Sequence, residues 1–357
     1  MRSHNRLIGI LLGLGLLVTL PLRVKAQSIE ELRLMAQSGQ RTEAEALIQQ
    51  LIAQSKHPQD LHEEYGTWLM EWGDYAQAIE HYKASITKKH TKSLPKLAQA
   101  YHANAQFDKV LEVISRMGSK SVTEDLNLLK EYALRAQTML DRSEWVEVID
   151  SIRIDIDALP VLPSRYFSQD WGKLHRASEK SDEIEKLRTT GLIYETALGL
   201  EWFYERIGAM GDSDLFYALS LQGRLSDEQA LNTLNTPENE RYPILRQDGI
   251  TLIFARESHD GIGGYDLYLS RRDPETNTYQ TPTLLGMPFN SPADDLYLIY
   301  DDLRGVGLLA STRYCPKGKV NLYTFRINEN HPAIPFNTLD EKRPIATLYP
   351  WRATQEK

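Results

Sequence analysis

The chain has 357 residues, enough for more than one hydrophobic core, and its 25% charged and 41% hydrophobic content is ordinary for a globular protein. Its 49 acidic residues against 41 basic ones give a net charge of −8, which argues against a nucleic-acid binder, since phosphate neutralisation needs clustered Lys and Arg. One cysteine, Cys315, excludes an intramolecular disulfide and a cysteine-based zinc site.

Residues 1–26 carry Arg2 and Arg6, then an apolar run from Leu7 to Leu20, then Val24-Lys25-Ala26 before Gln27. This is the pattern of a secretory signal peptide, and the run is shorter than the roughly 20 residues a membrane span needs. Cleavage there would leave 37 basic and 49 acidic residues, net −12. No lipoprotein cysteine follows the run, and no second apolar span is seen. The expected destination is the periplasm, possibly with outer-membrane association through a partner.

Residues 27–143 read as helical hairpins, with the stretch 124–140 as a cap helix. Gly66, Gly73, Ala78 and Tyr82 supply small, turn, small and aromatic positions. Gly39 and Ala44 precede Gly73 and Ala78 by 34 residues, while Ala98, Phe107 and Val110 follow at an offset of 32 from Gly66, Tyr75 and Ala78. That period is the tetratricopeptide one, in which small residues let paired helices approach. A solenoid of this kind offers a concave face, here predicted to include Thr67, Met70, Gln99 and His102 as partner-binding residues.

Near residue 144 the period changes to two. Val146, Val148, Ile152, Ile154 and Ile156 alternate with mostly polar residues and predict a strand. The charged stretch 172–190 reads as an excursion loop or short helix. Beyond it a unit repeats. Residues 235–244 (NTPENERYPI) return at 290–299 (NSPADDLYLI), an offset of 55 that also places Ala255 on Ala310 and Leu267-Tyr268 on Leu322-Tyr323. A fainter copy aligns 200–206 with 250–256 and Asp214-Leu215-Phe216 with Asp266-Leu267-Tyr268. Strand-rich units of this length predict propeller blades over 144–330, with residues 144–170 contributing to a fourth. The Asp of D-L-[FY] is expected to accept backbone N–H groups of the preceding turn, and Gly261, Gly263 and Gly264 to permit positive φ there. Residues 331–357 are read as a C-terminal tail. The fold class expected is therefore α+β multidomain, an N-terminal α-solenoid followed by an all-β propeller-like domain.

The string DGITLIFAR at 248–256, with GIGGYDLYLSRRD at 261–273 and LGMPFNSPADD at 285–295, resembles the WD-like β-propeller repeat of the Tol-system type. It is similar in particular to exported Bacteroidetes proteins that place tetratricopeptide repeats before such a propeller. The resemblance covers roughly residues 30–330. It implies a non-catalytic envelope scaffold whose partners are other envelope proteins or peptide segments. Some relatives add a peptidoglycan-binding domain, which this sequence is expected to lack.

No catalytic, metal or cofactor site is expected. Asp294-Asp295 and Asp301-Asp302 lack the D-x-D-x-D-G calcium loop and read as solvated turns. In His62-Glu63-Glu64-Tyr65 no second His follows at helical spacing, so it is not read as a zinc motif. Gly261-Ile262-Gly263-Gly264 sits in a strand–turn–strand context and is no dinucleotide loop. Trp68, Trp72, Trp145, Trp171, Trp202 and Trp351 read as packing residues, or as sugar platforms where exposed. The alternative function from that last reading is a glycan- or peptidoglycan-binding propeller.

Overall fold

The computed structural model describes residues 29–159, 169–177, 187, 189, 191–208, 211–222, 224–327 and 338–348. The signal-like segment and Trp351 lie outside them. The described residues up to Gln50 form one compact unit and those from Leu51 onward a second. The first holds α1 (Ile29–Gln37) and most of α2 (Arg41–Gln54), with Leu32, Ala36, Ala44 and Ile48 buried.

The second unit begins with α3 (Gln59–Glu71), α4 (Tyr75–Ser85), α5 (Leu94–Ala103), α6 (Phe107–Ser115) and α7 (Glu124–Asp141). The sequence period has a backbone cause. The turns after α1, α3 and α5 each hold a left-handed residue, Gly39 at φ +87°, Gly73 at +76° and Ala105 at +54°. In each turn the next N–H reaches back five residues, from Gln40 to Met35, Asp74 to Leu69 and Gln106 to Tyr101. This Schellman closure satisfies carbonyls that the helix end would leave bare. Between α3 and α4 the Tyr82 ring lies flat on Gly66, where an added Cβ would stand 2.8 Å from it. The aromatic therefore fills its own hairpin, and Gly66 is small to admit it.

Among the described residues the β-region forms three antiparallel sheets. The first runs β2 (Lys173–Arg176), β3 (Leu192–Glu195), β4 (Glu201–Ile207), β5 (Ser213–Leu221) and β6 (Arg224–Leu225), with β7 (Gln229–Ala230) also on β5. The second is a meander of β8 (Asn239–Leu245), β9 (Thr251–Glu257), β10 (Tyr265–Arg271) and β11 (Thr283–Leu284). The third holds β12 (Asp295–Asp301), β13 (Val306–Ser311) and β14 (Lys319–Arg326), with β1 (Glu147–Asp155) outside β14. The alternation at 145–157 is thus a strand over Glu147–Asp155, ending in a 3-10 turn at Ile156–Ala158, and it edges the last sheet instead of contributing to a fourth. Val148 pairs with Phe325 and Ile152 with Leu322. The chain enters and leaves the β-region through one sheet. In the charged stretch 172–190, Lys173–Arg176 is a strand on β3, a difference from the expected loop or helix. Its four residues carry a single apolar side chain and no period-two pattern. The strand exists through its pairing, Leu174 with Tyr194 and His175 with Ile193.

One apolar core joins the sheets, including Phe203, Leu215, Ile244, Phe254, Leu298 and Leu308, all nearly or fully buried. Burying each such side chain contributes about 1.5–3 kcal/mol. The repeat is also visible in polar clamps. Asn235 accepts from Leu215 N and donates to Leu215 O, and Asn290 does the same to Leu267. Thr236 bonds Glu240 as Ser291 bonds Asp295. Each clamp ties the segment leading into one sheet to a strand of the sheet before it, β5 in the first case and β10 in the second. In the segment read as a tail, Thr338 and Glu341 form a capping box that starts α8 (Leu339–Thr347). Arg343 of α8 donates to the Ala105 carbonyl and Lys342 pairs with Asp141, so α8 packs on the helical side.

Candidate functional site

The helices of the second unit sit on one end of the sheets. His102 Nε2 donates to the Ile262 carbonyl at 2.7 Å, Tyr132 Oη to Ser258 O at 3.1 Å, and Arg135 to the carbonyls of His259 and Gly261. These groups grip the β9–β10 loop. Asp266 shapes that loop as its position in D-L-Y implies, its Oδ2 accepting from Ile262 N at 2.7 Å and Gly263 N at 3.1 Å. The loop glycines are not needed for positive φ; the left-handed glycines lie elsewhere. They are needed for room. A Cβ on Gly261 would strike the Asp266 carboxylate, and one on Gly263 would stand 2.6 Å from Ser291 O. A second contact brings Gly73 against the Tyr314–Cys315 backbone, with Lys317 N donating to Glu71 O at 3.0 Å.

Of the sequence-predicted partner residues, His102 is buried and bonded to the chain's own loop. Burial lowers its pKa to about 4, against the raising effect of the Ile262 bond, so it is neutral. Thr67 is half-buried, its Oγ1 donating to Glu63 O and accepting from Tyr82 Oη. Met70 is half-buried and Gln99 exposed. The four lie on α3 and α5, and His102 is turned inside the molecule, its Nε2 bonded to Ile262 O and its Nδ1 buried without a hydrogen-bond partner.

The other end of the sheets is different. The turns β3–β4, β8–β9 and β12–β13 converge around a cavity of about 380 Å³. Each turn ends in a left-handed glycine, Gly199 at φ +69°, Gly249 at +69° and Gly305 at +64°, so the three are equivalent hairpin ends. Leu198, Leu200 and Leu303 stand at the mouth, 83%, 54% and 93% exposed. Below them Tyr194 Oη donates within reach of both Trp171 O and Leu245 O, at 2.9 Å each, and Trp171 Nε1 donates to Asp301. This closes a rigid floor across the three sheets. The rim charges pair off between neighbours: Arg246 with Asp302, Arg272 with Glu201, Arg304 with Asp170. What remains is a charge-neutral, leucine-rimmed funnel.

The carboxylates flagged in sequence do not converge. Asp295 pairs with Arg313 at 2.5 Å, while Asp301, at the other end of β12, accepts from Leu303 N and Arg304 N. Both are almost fully buried, contrary to the solvated-turn expectation, which the exposed Asp302 meets; Asp295 answers the buried Arg313, and Asp301 the buried Trp171 indole and the turn N–H groups. Among the described residues the one group with metal-ligand spacing is Asp60, Glu63 and His90, on the helical side. Trp68 and Trp171 are buried packing residues, and Trp202 stacks on His175 at 5.0 Å. No helix among the described residues is long and apolar enough to cross a membrane. Comparison with protein-family models and with curated proteins finds no match to this chain.

Proposed function

We propose that the chain is a non-catalytic scaffold exported to the periplasm, or held at the outer membrane, that joins envelope proteins. In this reading the helices are a tetratricopeptide-like array, the sheets a propeller-like body of the WD-like, Tol-system type, and a partner protein docks in the leucine-rimmed funnel. The observation that carries it is the exposure of Leu198, Leu200 and Leu303 together, around a preformed cavity whose rim charges are already paired. Water gains nothing from three leucines there, and covering them on binding is favourable. The helical face around His102, by contrast, is spent on the β9–β10 loop. Leucines instead of exposed aromatic rings support a protein partner over a glycan.

A photo-crosslinking residue at position 303, compared with one at the exposed Leu134 of α7, tests the reading in envelope fractions. One discrete protein adduct from position 303, lost in a Leu198→Asp background and missing from position 134, is expected. Equal labelling from both positions, or hydrolysis of a glycan or peptide by the purified chain, would overturn it.

A further inference from the structure

On the helical side, Asp60 and Glu63 are one turn apart on α3 and present their carboxylates on the same face. His90 comes from the connection between α4 and α5. A two-way backbone pair, Thr87 N to His90 O at 2.9 Å and His90 N to Thr87 O at 3.1 Å, fixes its position. Its Nε2 lies 3.7 Å from Asp60 Oδ1 and 3.9 Å from Glu63 Oε2, shielded from water and without a hydrogen-bond partner. Lys92 Nζ bridges the same two oxygens, at 2.6 Å from Asp60 Oδ1 and 3.3 Å from Glu63 Oε2. An ammonium thus stands where the two carboxylates and the imidazole nitrogen face one another.

We propose that Asp60, Glu63 and His90 form a binding site for a divalent transition-metal cation of the zinc type, with Lys92 as the counter-ion that the metal displaces. The donor set is one imidazole nitrogen and two carboxylate oxygens, which suits zinc and leaves a coordination position for water. Tetrahedral ligands at zinc distances stand about 3.4 Å apart, so the two edges from His90, at 3.7 and 3.9 Å, have to close by only about half an ångström or less, and the two carboxylates, within 4.8 Å of each other, draw in around the ion. Asp60, 66% exposed, is free to make that move. Glu63 is already oriented, since Ser93 Oγ donates to its Oε2 at 2.8 Å and Lys96 to its Oε1 at 2.9 Å. Such outer contacts fix a carboxylate ligand in place. Lys92 also lines a cleft of about 360 Å³ beside Arg116 and Met117, which gives its side chain room when it leaves. Its charge opposes the metal, so the affinity expected is moderate, and removing that charge strengthens binding.

The test uses the untagged chain, stripped by chelator and titrated with Zn²⁺ by calorimetry and with Co²⁺ by visible absorption. One equivalent is expected, with a cobalt spectrum of low coordination number. His90→Ala and Glu63→Gln weaken it at least about tenfold. Lys92→Met strengthens it about tenfold, an effect that adventitious surface binding would not produce. His62→Ala, which removes one half of the nearby His62–His81 pair (Nδ1 to Nδ1 2.9 Å), leaves it unchanged. Circular dichroism of each variant separates lost binding from lost fold. Binding that survives His90→Ala, that falls with His62→Ala, or that is indifferent to Lys92→Met would overturn the assignment, as would no saturable binding at all.

Discussion

The helical and the sheet regions are both built from repeats, yet they are held together by different physics. In the helices the repeated positions are apolar or small: Gly66 against Tyr82, Ala78, Ala98, Val110. In the sheets they are polar groups turned inward, the half-buried Asn235 and buried Asn290 clamps and the buried Glu240 and Asp295 carboxylates. Helices satisfy their own backbone and need only close approach. Separate sheets leave strand ends and linkers unsatisfied, and side chains must supply the partners. Damage should therefore follow volume in one region and lost hydrogen bonds in the other.

The sharpest break of that contrast is Arg313→Met, which leaves Asp295 buried without its cation. It should cost about 3–5 kcal/mol in urea unfolding, while Arg313→Met with Asp295→Asn recovers much of the loss. Next is Asn290→Ala, fully buried with bonds to Leu267 and Leu285, expected to cost about 2–3 kcal/mol; Asn235→Ala, less buried, should cost about 1. On the helical side Gly73→Ala meets both a positive φ and the Tyr314 backbone and should cost about 1–3 kcal/mol. Gly39→Ala, with open space around it, should cost only the left-handed strain of about 1–2. Equal losses at the two glycines would remove the packing argument.

A pH series sharpens the same comparison. Burial, reinforced by Asp295, raises the Asp266 pKa to about 8, against the lowering effect of Ile262 N, Gly263 N and Arg135. The folded state then holds a proton that the unfolded chain gives up near pH 4, so this group's contribution to stability falls as pH rises from 4 to 8. Asp266→Asn lacks that loss, and its stability relative to the parent should climb between pH 5 and pH 8, read from urea midpoints. A constant difference would contradict it. The smallest expected change is Leu303→Asp, within about 0.5 kcal/mol in stability because the side chain is 93% exposed, though it should abolish the position-303 contact.

Some of this was legible in the chain. The 34-residue spacing of Gly39 and Gly73 marked two helix-ending turns, where glycine adopts the left-handed conformation without strain, while the third such turn, at Ala105, carried no glycine to mark it. The offset of 55 marked equivalent strands and clamps, and the Thr338–Glu341 spacing is a readable helix start inside the stretch assigned to a tail. The zinc-type cluster was not legible from helical spacing, since His90 lies in a connection 27 residues beyond Glu63. Nor was the funnel, whose leucines sit in turns far apart in sequence.

The residue order by itself determined local events: where helices begin and turn, which positions alternate, and which units repeat, since each depends on neighbours within a few bonds or on a copied pattern. Only the tertiary structure decided that β1 edges the last sheet, that His102 holds the chain's own loop, and that three leucines share one mouth. Those outcomes depend on which distant surfaces meet, and periodicity carries no information about that.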